Sequence, residues 1–130
     1  MSKLLGIDYG QKKVGLAFAD TDTKTAVPLT VVSLDNLISK IQELIKTEGI
    51  EKIIVGLPLG MNGRVTEQTK KVKKFIKDLE SKINLEVVAE DERLSTVQAQ
   101  KSARPLAKPG KDDARAAMYI LQSYLDNTYG

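Results

Sequence analysis

The stretch "KIIVG", residues 52–56, constrains this chain more than any other. After the lysine it has no polar position and no alternation. Such a run suits a strand covered on both faces, not one with a wet side. Helical repeats flank it. Upstream, Leu34, Leu37, Ile38, Ile41, Leu44 and Ile45 fall at helical spacing, with Ser33 or Asp35 as candidate caps and Gly49 as a stop. Downstream, a helix is predicted from about Val65 to Lys82, with Val65, Val72, Phe75, Ile76, Leu79 and Ile83 as its apolar stripe. It starts after the Gly/Pro/Asn loop "LPLGMNGR".

The remaining segments extend this unit. Leu4 to Asp8 reads as a buried strand bounded by Gly10. Val14 to Ala19 reads as a second, joined through the tight "YGQKK" connection as a hairpin. Residues 26–33 form a third strand, with Pro28 placing its start at an edge or beyond the ladder. "LEVVAED", residues 85–91, is the last strand. Ser95 to Ala103 is a short helix candidate, and "RPLAKPGK" is a loop. The closing helix runs from Asp113 to Leu125 on Ala117, Ile120, Leu121 and Tyr124. A meander followed by β-α-β-α-β units implies an α/β fold: a mixed sheet with helices on both faces. No repeat or linker divides the 130 residues, so 1–130 is expected to be a single domain. No apolar run approaches a bilayer's thickness and no signal-peptide core is present. The expected compartment is the cytoplasm, with no membrane partner.

Composition narrows the chemistry. The chain has no Cys and no His. That excludes a disulfide framework, a thiolate nucleophile, His-based acid/base catalysis and His-ligated zinc. What remains is carboxylates, hydroxyls, Lys, Arg, backbone and a hard metal ion held by oxygens. The net charge of +3 is a weak pointer to nucleic acid. Local clusters say more: "KKVKKFIK" carries five lysines between Lys70 and Lys77, while "EVVAEDE" is acidic.

The acids fall where such an ion would need them. Asp8 ends the first strand, and the last strand runs into Asp91 and Glu92. Parallel strands of an α/β sheet share a carboxyl edge, and ligands bind there. If the first and last strands both flank the 52–56 strand in parallel, Asp8 and Glu92 meet at that edge. Asp112-Asp113, at the start of the last helix, is a third acidic point. Converging carboxylates repel, and a divalent cation relieves them. Mg²⁺ and Mn²⁺ suit two or three carboxylates plus a substrate phosphate. Each residue also has a plainer reading. Asp8 fits a turn before Gly10. Glu92 fits a solvated charge. Asp112 or Asp113 fits an N-cap, as do Ser95 and Thr96. Arg93 either clamps a phosphate or pairs with a nearby acid. The lysines at 70, 71, 73, 74 and 77 fit a solvated helix face, whereas Lys12, Lys13, Arg64, Arg104, Lys108 and Lys111 flank the proposed edge and suit phosphate contacts.

"GIDYG" with "VGLAFAD", then "VGLPLGMNGR", "DERLST" and "DDARAAMYILQSYLD" together resemble the YqgF family, also called RuvX, over nearly the whole chain. "GLPLGMNG" and "DER" with Leu-Ser-Thr are the most specific pieces. The resemblance implies a ribonuclease-H-like fold, with a five-stranded sheet in the order 3-2-1-4-5, strands 1–3 antiparallel. It implies a metal-dependent endonuclease that matures the 5′ end of pre-16S ribosomal RNA. A Holliday-junction resolvase acting on branched DNA is the alternative, and a non-catalytic RNA-binding assembly factor a third reading. Carried over residue by residue, the catalytic and metal acids are Asp8, Glu92 and Asp113, with Asp112 as the alternative to Asp113. The implied cofactor is one or two Mg²⁺ or Mn²⁺ ions. Structured RNA, branched DNA and ribosomal particles are the implied partners, with the chain a monomer or homodimer. Lys12-Lys13 stands where Lys-Arg is common, Gly60 where Asn is frequent, Asn62 where Asp is frequent and Ser95 where Thr is usual. The acids are intact. "DYGQKKVG" also resembles the phosphate loop of actin-like ATPases, which need two such domains around the nucleotide.

Overall fold

The computed structural model describes residues 2–92 and 114–129. At its centre is β1 (Lys3–Asp8). β1 pairs antiparallel with β2 (Lys13–Asp20), which pairs antiparallel with β3 (Thr25–Ser33). On its other side β1 pairs parallel with β4 (Ile50–Leu57), and β4 pairs parallel with β5 (Glu86–Asp91). The sheet therefore runs β3-β2-β1-β4-β5, the expected order. Helix α1 (Leu37–Glu48) joins β3 to β4, α2 (Glu67–Lys82) joins β4 to β5, and α3 (Arg115–Tyr129) closes the chain.

Strand alternation sorts the core into two layers. Leu5, Ile7, Ile53 and Val55 pack with Leu37 and Ile41 of α1 and with Val72 and Leu79 of α2. Leu4 and Ile54 pack instead with Ala117, Ile120, Leu121 and Leu125 of α3. Both faces of β4 are thus dry, which explains why "KIIVG" has no polar position. Each large aliphatic side chain buried this way is worth about 1.5–3 kcal/mol. Gly6 lets α3 approach. A Cβ there would lie 2.8 Å from Leu121 Cβ and 3.0 Å from the Ala117 carbonyl oxygen. The helix therefore rests on the β1 backbone itself.

Three local features differ from the sequence expectation. Pro28 lies inside β3, opposite Ala17, where the pairing with β2 slips after Leu16. β3 is an edge strand, one of the two readings of Pro28, but the proline sits inside the ladder and not before it; an edge with a bulge tolerates the missing N–H. Residues Leu34–Asn36 form a short 3₁₀ turn containing Asp35, and α1 begins only at Leu37. Neither Ser33 nor Asn36 caps through its side chain. Gly49 does end α1, with φ 70° and its N–H bonded to the Ile45 carbonyl. Finally, α2 starts at Glu67, and Val65 lies outside it, 46% exposed. The N-cap is Thr66, paired with Thr69 in a reciprocal capping box. The closing helix reaches Tyr129, one turn past Leu125, with the expected face buried. The Ser95–Ala103 helix and the "RPLAKPGK" loop lie outside the described residues. Among the described residues, no helix is long and apolar enough to cross a membrane.

Candidate metal centre

Asp8 is the last residue of β1, opposite Gly15. Its neighbour Ile7 is fully buried beneath α1 and α2. Alternation turns Asp8 to the other face, shared with Leu4 and Gly6, where α3 lies. The next residue, Tyr9, is pinned from behind: its ring packs against Phe75 of α2 with centroids 4.5 Å apart. The carboxylate therefore leaves a strand end whose flanking side chains are both packed.

Glu92 follows β5 directly. β5 lies beside β4 in parallel register, with Gly56 opposite Glu90 and Leu57 opposite Asp91. The Glu92 side chain lies back over Gly56. A Cβ at Gly56 would sit 2.9 Å from Glu92 Oε1 and would also collide with Ile120 Cδ1. Gly56 is thus the gap that admits both the carboxylate and the first turns of α3.

The electrostatics show that the two acids share one environment. Burial lifts the Asp8 carboxyl above its ordinary range. Glu92 is pushed up to about 7, first by burial and then by the negative charges of Asp8 and Asp91. Burial raises both carboxyls and the Asp8 charge raises Glu92 further, so the pair forms an oxygen-only donor set at a partly dry edge. That is what a hard divalent cation requires. Glu90 behaves differently. Burial and the Asp91 charge raise it, and a hydrogen bond with Asn127 of α3 opposes them. It ties β5 to the end of α3.

Not every expected site residue joins this pair. Lys12, Lys13 and Arg64 are exposed, on the β1–β2 turn, at the start of β2 and in the β4–α2 loop. All three positions are at the carboxyl edge. Arg93, Arg104, Lys108, Lys111, Asp112 and Asp113 lie outside the described residues. Among the described residues, no three His, Cys, Asp or Glu side chains gather as a metal-holding group.

Sequence reasoning missed the support of the β4–α2 loop. Thr69 is fully buried at the start of α2. Its backbone N–H donates to Thr66 Oγ1 at 3.2 Å, while Thr66 N–H donates to Thr69 Oγ1 at 3.0 Å. The Thr69 hydroxyl also donates to the Pro58 carbonyl. Within the loop, Gly60 N–H donates to the Arg64 carbonyl at 2.8 Å. These bonds hold the backbone that carries Arg64. The signal was present as "TEQT", a capping box with Thr in place of the usual Glu.

A family model described as "RuvX: Holliday junction resolvase" matches residues 2–127. The chain belongs to the RuvX family. Its relatives include a Sulfurihydrogenibium protein named "Putative pre-16S rRNA nuclease", 38% identical and covering 97% of this chain and 91% of the relative. A protein of the same name from Endomicrobium trichonymphae is 40% identical, covering 97% of this RuvX chain and 96% of its own. Among solved structures, Thermus thermophilus RuvC in complex with a Holliday junction substrate superposes with a TM-score of 0.63 at 13% identity, over 100% of this chain and 97% of that one. The RuvX fold here is the ribonuclease-H-like fold of RuvC.

Proposed function

We propose that this chain is a metal-dependent endonuclease that hydrolyses a phosphodiester bond in the 5′ maturation of pre-16S ribosomal RNA. The observation that carries the chemistry is the Asp8–Glu92 pair at the carboxyl edge, where burial first and the Asp8 charge second push Glu92 up to about 7. In our reading Asp8 and Glu92 hold one or two Mg²⁺ or Mn²⁺ ions. Asp113, directly before the buried Ala114, is the third acid, with Asp112 as its alternative. When bound, such a cation stabilises charge at phosphorus and lowers the pKa of an attacking water. The chain's own part is to aim two rigid carboxylates at one point and to line the approach with cations. Lys12, Lys13, Arg64, Arg93, Arg104, Lys108 and Lys111 take backbone phosphates, a role that is largely sequence-independent.

The RNA assignment rests on the names of the relatives. The family description favours a second reading, resolution of branched DNA. Junction resolution calls for a homodimer, since two strands are cut symmetrically, whereas RNA trimming works with a monomer. We place residues 1–130 in the cytoplasm as one nuclease domain engaging ribosomal precursor particles.

The test is a substrate panel: a labelled 16S precursor fragment and a four-way DNA junction, each with Mg²⁺, Mn²⁺ or EDTA. The reading expects metal-dependent cleavage of the precursor near its mature 5′ end. Preferential cutting of the junction would move the assignment to branched DNA. Tight RNA binding without cleavage in any metal would leave an assembly factor. ATP turnover without nucleic acid would favour the ATPase resemblance.

A further inference from the structure

Between α1 and α2 lies a groove of about 370 Å³ that the metal centre does not use. Its floor is formed by Tyr9, Phe75, Leu34 and Ile38. Lys71, Lys74 and Lys82 line its rim, against one acid, Asp78. These four rim residues follow one another at helical spacing and so share one face of α2. All four are exposed, and none of the three lysines makes an ion pair among the described residues.

The groove reaches the end of β1 through Tyr9. Tyr9 is the residue after Asp8, on the opposite face of the sheet. The Leu34 N–H donates to the Lys12 carbonyl at 2.9 Å, fastening the approach to α1 to the β1–β2 turn. One end of the groove thus lies next to the β1 terminus that carries Asp8. Its chemistry matches that of single-strand sites, where aromatic faces receive bases and cations follow the backbone. The volume lies at the small end of ligand pockets, about 300–1,000 Å³, which suits one nucleotide but not a helix. An acidic peptide would satisfy the lysines but leave the aromatic floor without a flat partner. Duplex RNA hides its base faces.

We propose that this groove holds one unpaired nucleotide of the RNA substrate. Its base lies on the Tyr9–Phe75 pair and its flanking phosphates lie on Lys71, Lys74 and Lys82. RNA as the substrate rests on the function proposed above, so the test reads binding without cleavage.

Binding of a fluorescein-labelled single-stranded RNA decamer is measured by anisotropy in EDTA, from 50 to 300 mM KCl. Lys71→Glu/Lys74→Glu is compared with Lys73→Glu/Lys77→Glu, an equal charge change on α2 outside the groove. The expected result is about tenfold or more weaker binding for the groove pair, with a salt slope lower by roughly 1.4, and a much smaller loss for the control pair. Phe75→Leu, which keeps an apolar floor but removes the ring, is expected to weaken binding about fivefold or more. Duplex RNA and poly-glutamate serve as competitors and are expected to displace the decamer poorly. Equal losses for the two lysine pairs would overturn the proposal, as would unchanged binding by Phe75→Leu. Poly-glutamate competing as well as RNA would turn the groove into a peptide site. If cleavage is never found but the expected binding pattern holds, the nuclease reading fails and the groove stands.

Discussion

Removing the Glu92 charge is expected to stabilise the metal-free protein while abolishing its response to metal. Holding this carboxyl near 7 instead of its ordinary 4.5 costs the ionised folded state roughly 3 kcal/mol, at 1.36 kcal/mol per tenfold in proton affinity. The sign follows from proton binding. Between those two pH values the folded chain holds this proton and the unfolded chain has released it. The cost is therefore absent below about 4.5, where both states hold the proton, and reaches its full size as pH rises through about 7, so stability falls across that window. Glu92→Gln removes that dependence. Gln also gives up part of what the carboxylate contacts, so a net gain of about 1–3 kcal/mol is expected above pH 7.5, or roughly 4–10 °C in Tm. Thermal unfolding by circular dichroism in EDTA, from pH 4.5 to 8.5, measures it as a difference between the two proteins. With Mn²⁺ added the order reverses: the wild type gains Tm by mass action and Glu92→Gln gains little. Parallel melting curves for both proteins across the whole pH range, with equal Mn²⁺ responses, would refute the reasoning.

Other expectations follow from single contacts. Gly56→Ala drives a methyl into Ile120 and the Glu92 carboxylate, and should cost about 1–3 kcal/mol by urea unfolding and weaken Mn²⁺ binding by calorimetry. Thr69→Val keeps the side-chain shape but removes the hydroxyl's hydrogen bonds to Thr66 and Pro58; a loss of about 1–2 kcal/mol in the same urea assay is expected. Leu121→Ala opens a cavity where α3 meets Gly6, with an expected cost of about 2–5 kcal/mol. Lys12→Ala and Arg64→Ala should each lower the salt slope of single-stranded RNA binding by roughly 0.7 while leaving the melting temperature unchanged.

Much of this architecture was legible because it rests on short-range pattern. The unbroken apolar run of β4 required cover on two faces, and α1, α2 and α3 supply it. Asp8 and Glu92 could be brought together on paper because parallel strands share a carboxyl edge, and β1, β4 and β5 are parallel. What was not legible depends on distant partners. Pro28 stays in a strand because β3 is an edge with a register slip beside it. Val65 matches the α2 stripe in spacing, but Thr66 caps the helix after it. Tyr9 and Phe75 stand far apart in sequence and meet only because α2 packs across the end of β1. The elevated Glu92 carboxyl needs the Gly56 gap, the Ile120 wall and the Asp8 charge together. No local window contains all three.

The central claim is that Asp8 belongs to a metal centre that cuts RNA. Single-turnover cleavage of a labelled 16S precursor fragment in Mn²⁺, by wild type and by Asp8→Asn, tests it most directly. The account expects a rate loss of at least about a hundredfold for Asp8→Asn, with RNA affinity in EDTA retained. Equal cleavage rates for the two proteins would contradict it.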